Sequence, residues 1–164
     1  MAETAYLVDS NILLRWVRPD HSDFPAIVSA LDLLVRHGAV FCYTSQNLAE
    51  FWNTCTRPVD RNGYGLSPQN ADRSARFFEE KLRLLPDSLA VHEEWRRLLV
   101  AHGVSGVRVH DARLVAAMRI HGVKRILTST IEILRATLTS KLCILAAFLC
   151  PDFRTRPQAL LRYL

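Results

Sequence analysis

The chain predicts an α/β fold: a parallel sheet covered by helices on both faces. Three observations carry this reading. Short apolar runs at residues 5–8, 39–43, 82–85 and 123–127 alternate with longer stretches of helical periodicity; that alternation is the pattern of successive strand–helix–strand units. The first run, Ala5-Tyr6-Leu7-Val8, is uninterrupted, as in a parallel strand buried on both faces. At 164 residues, 49% hydrophobic and 23% charged, the chain suits one globular domain with one core.

The elements follow in order. A helix is expected from about Ser10, directly after the first strand. Residues 24–36 place Ile27, Ala30, Leu31 and Leu34 on one helical face, and Gly38 ends that helix. After the second strand, Ser45 is the expected N-cap of a helix running to about Thr56, before Pro58 stops it. Residues 60–65, Asp-Arg-Asn-Gly-Tyr-Gly, form a loop. Ser67 and Pro68 supply the cap and first turn of the next helix. Residues 88–102 continue as a helix with Leu89, Trp95, Leu98 and Leu99 among its apolar positions. Residues 107–110 are expected to be extended or looped, Asp111 to cap a helix through Ile120, and Gly122 to end it.

The formal charge of +5 points weakly to nucleic acid, because its distribution is uneven. Residues 1–128 hold 16 Lys/Arg against 14 Asp/Glu, and residues 129–164 hold 5 against 2. Cys42, Cys55, Cys143 and Cys150 lack metal-ligand spacing and suit a reducing, cytoplasmic setting. The longest apolar run, residues 142–149, is too short to span a bilayer, so no membrane role is expected. The first residues carry Glu3 and no basic stretch, so a secretory leader is not expected either. Run 142–149 is apolar enough to join a sheet edge or the core; left uncovered, it would drive aggregation or a homodimer. Arg154, Arg156 and Arg162 beyond it read as a solvated tail.

The chemistry lies in three acids. Ligands of open parallel sheets gather beyond the carboxyl ends of the strands. Asp9 directly follows the first strand, Glu50 sits in the helix after the second, and Asp111 opens the helix before the fourth. Converging carboxylates repel unless cations neutralise them, and oxygen donors suit Mg²⁺ or Mn²⁺. Asp9 and Asp111 would bind such an ion directly, and Glu50 directly or through water. Ser10 and Asn11 are placed to orient Asp9, and Ser45 to hydrogen-bond at the rim. Each also has a plainer reading: Asp111 as a helix cap, Glu50 as a solvent-facing acid, Trp52 and Trp95 as core, and Arg57, Arg61 and Arg113 as solvated charges rather than phosphate contacts. Phosphotransfer with Asp9 as nucleophile would normally bring a second aspartate two residues later, where this chain has Asn11.

Four segments together resemble the PIN-domain family, in particular its VapC-type ribonuclease toxins. They are Leu7-Val8-Asp9-Ser10-Asn11-Ile12-Leu13; Thr44-Ser45-Gln46-Asn47-Leu48-Ala49-Glu50-Phe51-Trp52-Asn53; Val109-His110-Asp111-Ala112-Arg113-Leu114-Val115-Ala116-Ala117-Met118; and His121-Gly122-Val123-Lys124-Arg125-Ile126-Leu127-Thr128. The resemblance implies a three-layer α/β/α sandwich and metal-dependent cleavage of RNA. It also implies a cognate antitoxin as partner and Asp9, Glu50 and Asp111 as the acidic metal-site residues. It divides the chain into a PIN-like part, residues 1–128, and an atypical segment, residues 129–164. Such proteins usually continue after the equivalent of Thr128 with a further aspartate near the chain's fourth strand; this chain reads Ser129-Thr130-Ile131-Glu132-Ile133. Restoring one nucleotide near the Thr128–Ser129 junction permits both that aspartate and a family-like final strand. The expectation is therefore a one-base loss in the gene, with an attenuated nuclease or an inert antitoxin- or RNA-binding scaffold as the product.

Overall fold

A computed structural model describes residues 4–129 and 143–145. The elements run β1 (Thr4–Val8), α1 (Ser10–Trp16), α2 (Phe24–Arg36), β2 (Ala39–Thr44), α3 (Ser45–Thr56), α4 (Pro68–Lys81), β3 (Arg83–Leu85), α5 (Leu89–Ala101), α6 (Arg108–Ile120), β4 (Arg125–Leu127) and β5 (Cys143–Leu145). The strands form one sheet in the order β3-β2-β1-β4-β5, and every pairing is parallel. The expected α/β/α sandwich is present. Part of the apolar run after residue 142 also joins the sheet edge, as β5 beside β4.

The layering follows from the two-residue period of strands. Tyr6 and Val8 of β1, Phe41 and Tyr43 of β2 and Leu127 of β4 pack with α1 to α4 on one face, around Phe51 and Phe78. Leu7, Cys42 and Ile126 point the other way, into α5 and α6, around Leu98, Val115 and Met118. Both faces of β1 are thus filled, which is why its sequence carries no polar position from Tyr6 to Val8. Phe51 and Phe78 meet edge to face at 5.1 Å between ring centres, joining α3 to α4.

Local chemistry revises three expectations. Thr44, not Ser45, caps α3: its hydroxyl accepts from the Asn47 N–H at 3.2 Å while the Asn47 side chain accepts from the Thr44 N–H at 2.9 Å. Residues 108–110 are helical, because a turn closes first, with Val109 N–H donating to Gly106 O at 3.2 Å. Asp111 therefore lies in the first turn of α6 and does not cap it. The loop after α3 contains a single 3-10 turn, Val59–Arg61. Ser67 and Ser88 cap α4 and α5 through their side chains, Ser67 as expected.

Of the segment 129–164, residue 129 and the backbone of residues 143–145 are described; Glu132 and the tail arginines Arg154, Arg156 and Arg162 lie outside the described residues.

Candidate functional site

Parallel pairing brings the ends of β1 and β4 side by side. Asp9 N–H donates to Leu127 O at 2.9 Å, so the residue after β1 and the residue after β4 emerge together. α3 starts at the end of neighbouring β2, and the first turn of α6 closes the other side. The result is a cleft of about 360 Å³ beyond the carboxyl edge of the sheet. Asp9, Ser10, Asn11, Leu14, Glu50, Asn53, Thr54, Arg57, Asp111 and Thr128 line it. All three acids singled out from the sequence share this one cleft.

Asp9 is held by two donors on one oxygen. Asn11 Nδ2 reaches its Oδ2 at 2.6 Å, and Thr128 Oγ1 donates to the same atom at 2.7 Å. Asn11 also donates to Thr128 Oγ1 at 3.0 Å and accepts from the Ser129 N–H at 3.1 Å. This ring of contacts ties β1 to the first residues past β4. Burial at the floor of the cleft raises the proton affinity of Asp9 above the usual carboxylate range, against the Thr128 hydroxyl, which lowers it.

Glu50 is turned toward protein donors. Its Oε2 accepts from Ser10 Oγ at 2.6 Å and its Oε1 from Gln46 Nε2 at 2.8 Å. The Ser10 hydroxyl thus orients Glu50, while the Ser10 backbone N–H acts on the Asp9 carboxylate, as the sequence reading expected of Ser10. Gln46 also donates to the His110 carbonyl at 3.1 Å and so links α3 to the first turn of α6. Asp111 is half-buried. Desolvation, then the charges of Asp9 and Glu50, push its pKa up to about 6, with His110 opposing. The acids therefore feel one another electrostatically across the cleft.

Such mutual repulsion on oxygen donors suits a divalent cation. Among the described residues, no three His, Cys, Asp or Glu side chains are arranged to hold an ion as they stand. Both carboxylate oxygens of Glu50 are engaged by Ser10 and Gln46.

The remaining candidates separate. Ser45 lies outside the cleft, in a groove with Tyr43, Leu48, Trp52 and Leu84. Trp52 packs against one core and Trp95 against the other, with Trp95 Nε1 donating to Val109 O at 2.9 Å. Arg113 pairs with Asp87 at 3.0 Å in a separate pocket, and Arg61 is exposed. Arg57 alone of these arginines lines the cleft. Sequence reasoning missed the roles of Gln46, Asn47 and Thr128. For Thr128 a signal existed, since the residue after a strand adjacent to β1 must emerge beside Asp9.

The PIN domain family model matches residues 6–136 and so continues past Thr128. Comparison with curated proteins returns no match. Among solved structures, DNA-bound VapBC from Salmonella typhimurium matches with a TM-score of 0.62 at 14% identity, covering 87% of this chain and 97% of the other. VapBC2 from Rickettsia felis, bound to a DNA fragment from its promoter, matches at 0.59 and 16%, covering 80% and 92%. VapC20 from Mycobacterium tuberculosis, a sarcin–ricin-loop-cleaving toxin, matches at 0.57 and 16%, covering 80% and 94%. These likenesses are of fold. With four-fifths of its length matched by the family model, this chain belongs to the PIN-domain family.

Proposed function

We propose that this protein is a divalent-metal-dependent endoribonuclease, the toxin of a toxin–antitoxin pair. The observation that carries the reading is the meeting of Asp9, Glu50 and Asp111 in one cleft, with Asp111 pushed up to about 6 by burial and by the other two. Mg²⁺ or Mn²⁺ bound by Asp9 and Asp111 would activate water and steady the leaving oxygen of a phosphodiester. The protein's own part is positional. Asn11 and Thr128 fix the Asp9 carboxylate, Ser10 and Gln46 fix Glu50, and Gln46 holds α6 against α3 so that Asp111 faces them. Family membership and the likeness to the VapC20 toxin support RNA as substrate. The likeness to VapBC complexes supports an antitoxin as partner, with a cytoplasmic site of action. Incubation of single-stranded RNA with the purified protein and Mn²⁺ tests this. Cleavage lost in both Asp9→Asn and Asp111→Asn is the expected result, and cleavage that persists in both removes the assignment.

A second reading is an inert scaffold that binds antitoxin or RNA without cutting. It is favoured by the family aspartate absent from the sequence after Thr128. Binding without cleavage at any Mn²⁺ or Mg²⁺ concentration would select it. We further infer that residues 129–164 are read out of frame after loss of one base. The nucleotide sequence around codon 128 and its close relatives decides this: an uninterrupted family-type frame in relatives supports it, and its absence from all of them refutes it.

A further inference from the structure

The wall of the cleft formed by α3 carries more than Glu50. Glu50, Asn53, Thr54 and Arg57 all line the cleft, and their spacing of three, four and seven residues puts them on one face of the helix. An acid stands at one end of this stripe, an amide and a hydroxyl in the middle, and a guanidinium at the far end. At about 1.5 Å per residue, Arg57 lies roughly 10 Å along the axis from Glu50.

Arg57 is a cation in an acidic cleft, and no described residue pairs with its charge. No ion pair or hydrogen bond joins its guanidinium to another described residue. The cation that acts on Asp9 is Arg15, which itself pairs with Asp23 at 3.2 Å. Arg57 is nonetheless held firmly by its backbone. Its carbonyl accepts from Gly65 N–H at 2.9 Å, and Gly63 N–H donates to Pro58 O at 3.0 Å, folding residues 58–65 back onto the end of α3. The fold-back is so close that a Cβ at Gly63 would stand 2.1 Å from the Arg57 carbonyl oxygen and 2.5 Å from its Cβ. The chain accepts a glycine-only close approach here, which fixes the backbone of a half-buried arginine that lines the cleft.

We propose that Arg57 binds a backbone phosphate of the substrate strand, away from the one at the acids. This deepens the ribonuclease reading and rests on it. Arginine suits the task because its planar fork pairs with two phosphate oxygens at once. The stacked rise of a strand is about 3.4 Å per nucleotide, so a separation of roughly 10 Å places the contact about three nucleotides from the scissile bond, fewer if the strand is extended. Asn53 and Thr54 lie between, as neutral hydrogen-bonding positions under the sugar–phosphate chain. The stripe gives the strand a direction, with its cut end over Glu50 and its anchored end over Arg57.

A mixed-sequence, single-stranded RNA 20-mer tests this by binding on an Asp111→Asn background and by cleavage in otherwise unmodified protein. Arg57→Gln is expected to raise the dissociation constant about tenfold. It should also make the slope of log affinity against log salt shallower by about 0.7, one phosphate contact on a single strand. In cleavage, KM should rise with kcat held within about twofold. Arg57→Lys, which keeps the charge, should restore the salt slope. Melting of Arg57→Gln should stay close to that of the parent, because the guanidinium has no partner among the described residues to lose. An unchanged salt slope in Arg57→Gln overturns the proposal, as does an Arg57→Lys that loses the slope equally. Retained RNA affinity with loss of antitoxin binding also overturns it, assigning Arg57 to an acidic protein segment. If protein with Arg57 intact neither binds nor cleaves RNA, the ribonuclease reading falls as well; cleavage with an Arg57-independent slope removes this inference alone.

Discussion

Replacing Asp111 by asparagine should stabilise the metal-free protein at neutral pH. The folded carboxyl holds its proton to about pH 6, whereas an unshifted one releases it near 3.8. Below 3.8 both folded and unfolded states are protonated and the group costs nothing. As pH rises from 3.8 through 6 the unfolded state ionises first, so stability is lost, and above 6 the loss is complete. At about 1.4 kcal/mol per pH unit the gap corresponds to about 3 kcal/mol. Asp111 is partly open to solvent, and screening reduces this to about 1–2 kcal/mol. For a protein of this size, that amounts to about 3–6 °C in melting temperature. In EDTA at pH 7.5, Asp111→Asn should therefore melt higher than the parent by that amount, and the two should converge near pH 4. Mn²⁺ at a hundred times its dissociation constant should restore about 2.7 kcal/mol to the parent and less to the variant. A variant that melts at or below the parent from pH 4 to 8 would refute electrostatic convergence of the three acids.

Three further outcomes are expected. Thr128→Val removes the hydroxyl that donates to Asp9 at 2.7 Å, and calorimetric titration should show Mn²⁺ affinity lower by about 10–100-fold. Gly63→Ala forces a Cβ to 2.1 Å from the Arg57 carbonyl, so denaturant unfolding should register a loss of more than about 2 kcal/mol, with m unchanged. Three carboxylates balance one divalent ion better than two, so Mn²⁺ should titrate at one per chain in the parent and bind much more weakly in Asp9→Asn; a stoichiometry of two would show that a further acid completes the site.

The fold was legible because its signals are local and repeated. β1 shows an unbroken apolar run because both its faces are covered, and glycines or prolines punctuate the helices at Gly38, Pro58 and Gly122. The start of α6 was not legible. Val107 and Val109 are β-branched and Asp111 is a familiar cap type, so the short-range reading placed the helix boundary at the acid. What extends the helix backward is a turn closed by Gly106, together with the anchoring of the Val109 carbonyl by Trp95 fourteen residues away in sequence. The cap of α3 failed for a similar reason. Thr44 and Ser45 are both capping types, serine the better in sequence, and the reciprocal contact with buried Asn47 decides for Thr44.

The site was legible in its acids but not in their support, and that difference is physical. A carboxylate at the end of a buried strand is conspicuous because burying it is costly. Its supporting hydroxyls and amides are unremarkable residues whose value depends on a partner far along the chain. Asp9 and Thr128 are 119 residues apart, and Ser10 and Glu50 are 40 apart. Past Thr128, where the family model still matches as far as residue 136, a lost acid is the proposed departure. The contacts among Asp9, Asn11, Thr128 and the Ser129 N–H tie the cleft together at least as far as Ser129. On the proposed reading that a family acid is missing after Thr128, the cost falls beyond that point and not on the placement of Asp9. A protein with its first carboxylate fully oriented and a later one missing should retain a metal preference while losing rate. The two readings of function therefore differ in turnover before they differ in metal binding, and the Mn²⁺ titration and the RNA assay must be run on the same preparation to tell them apart.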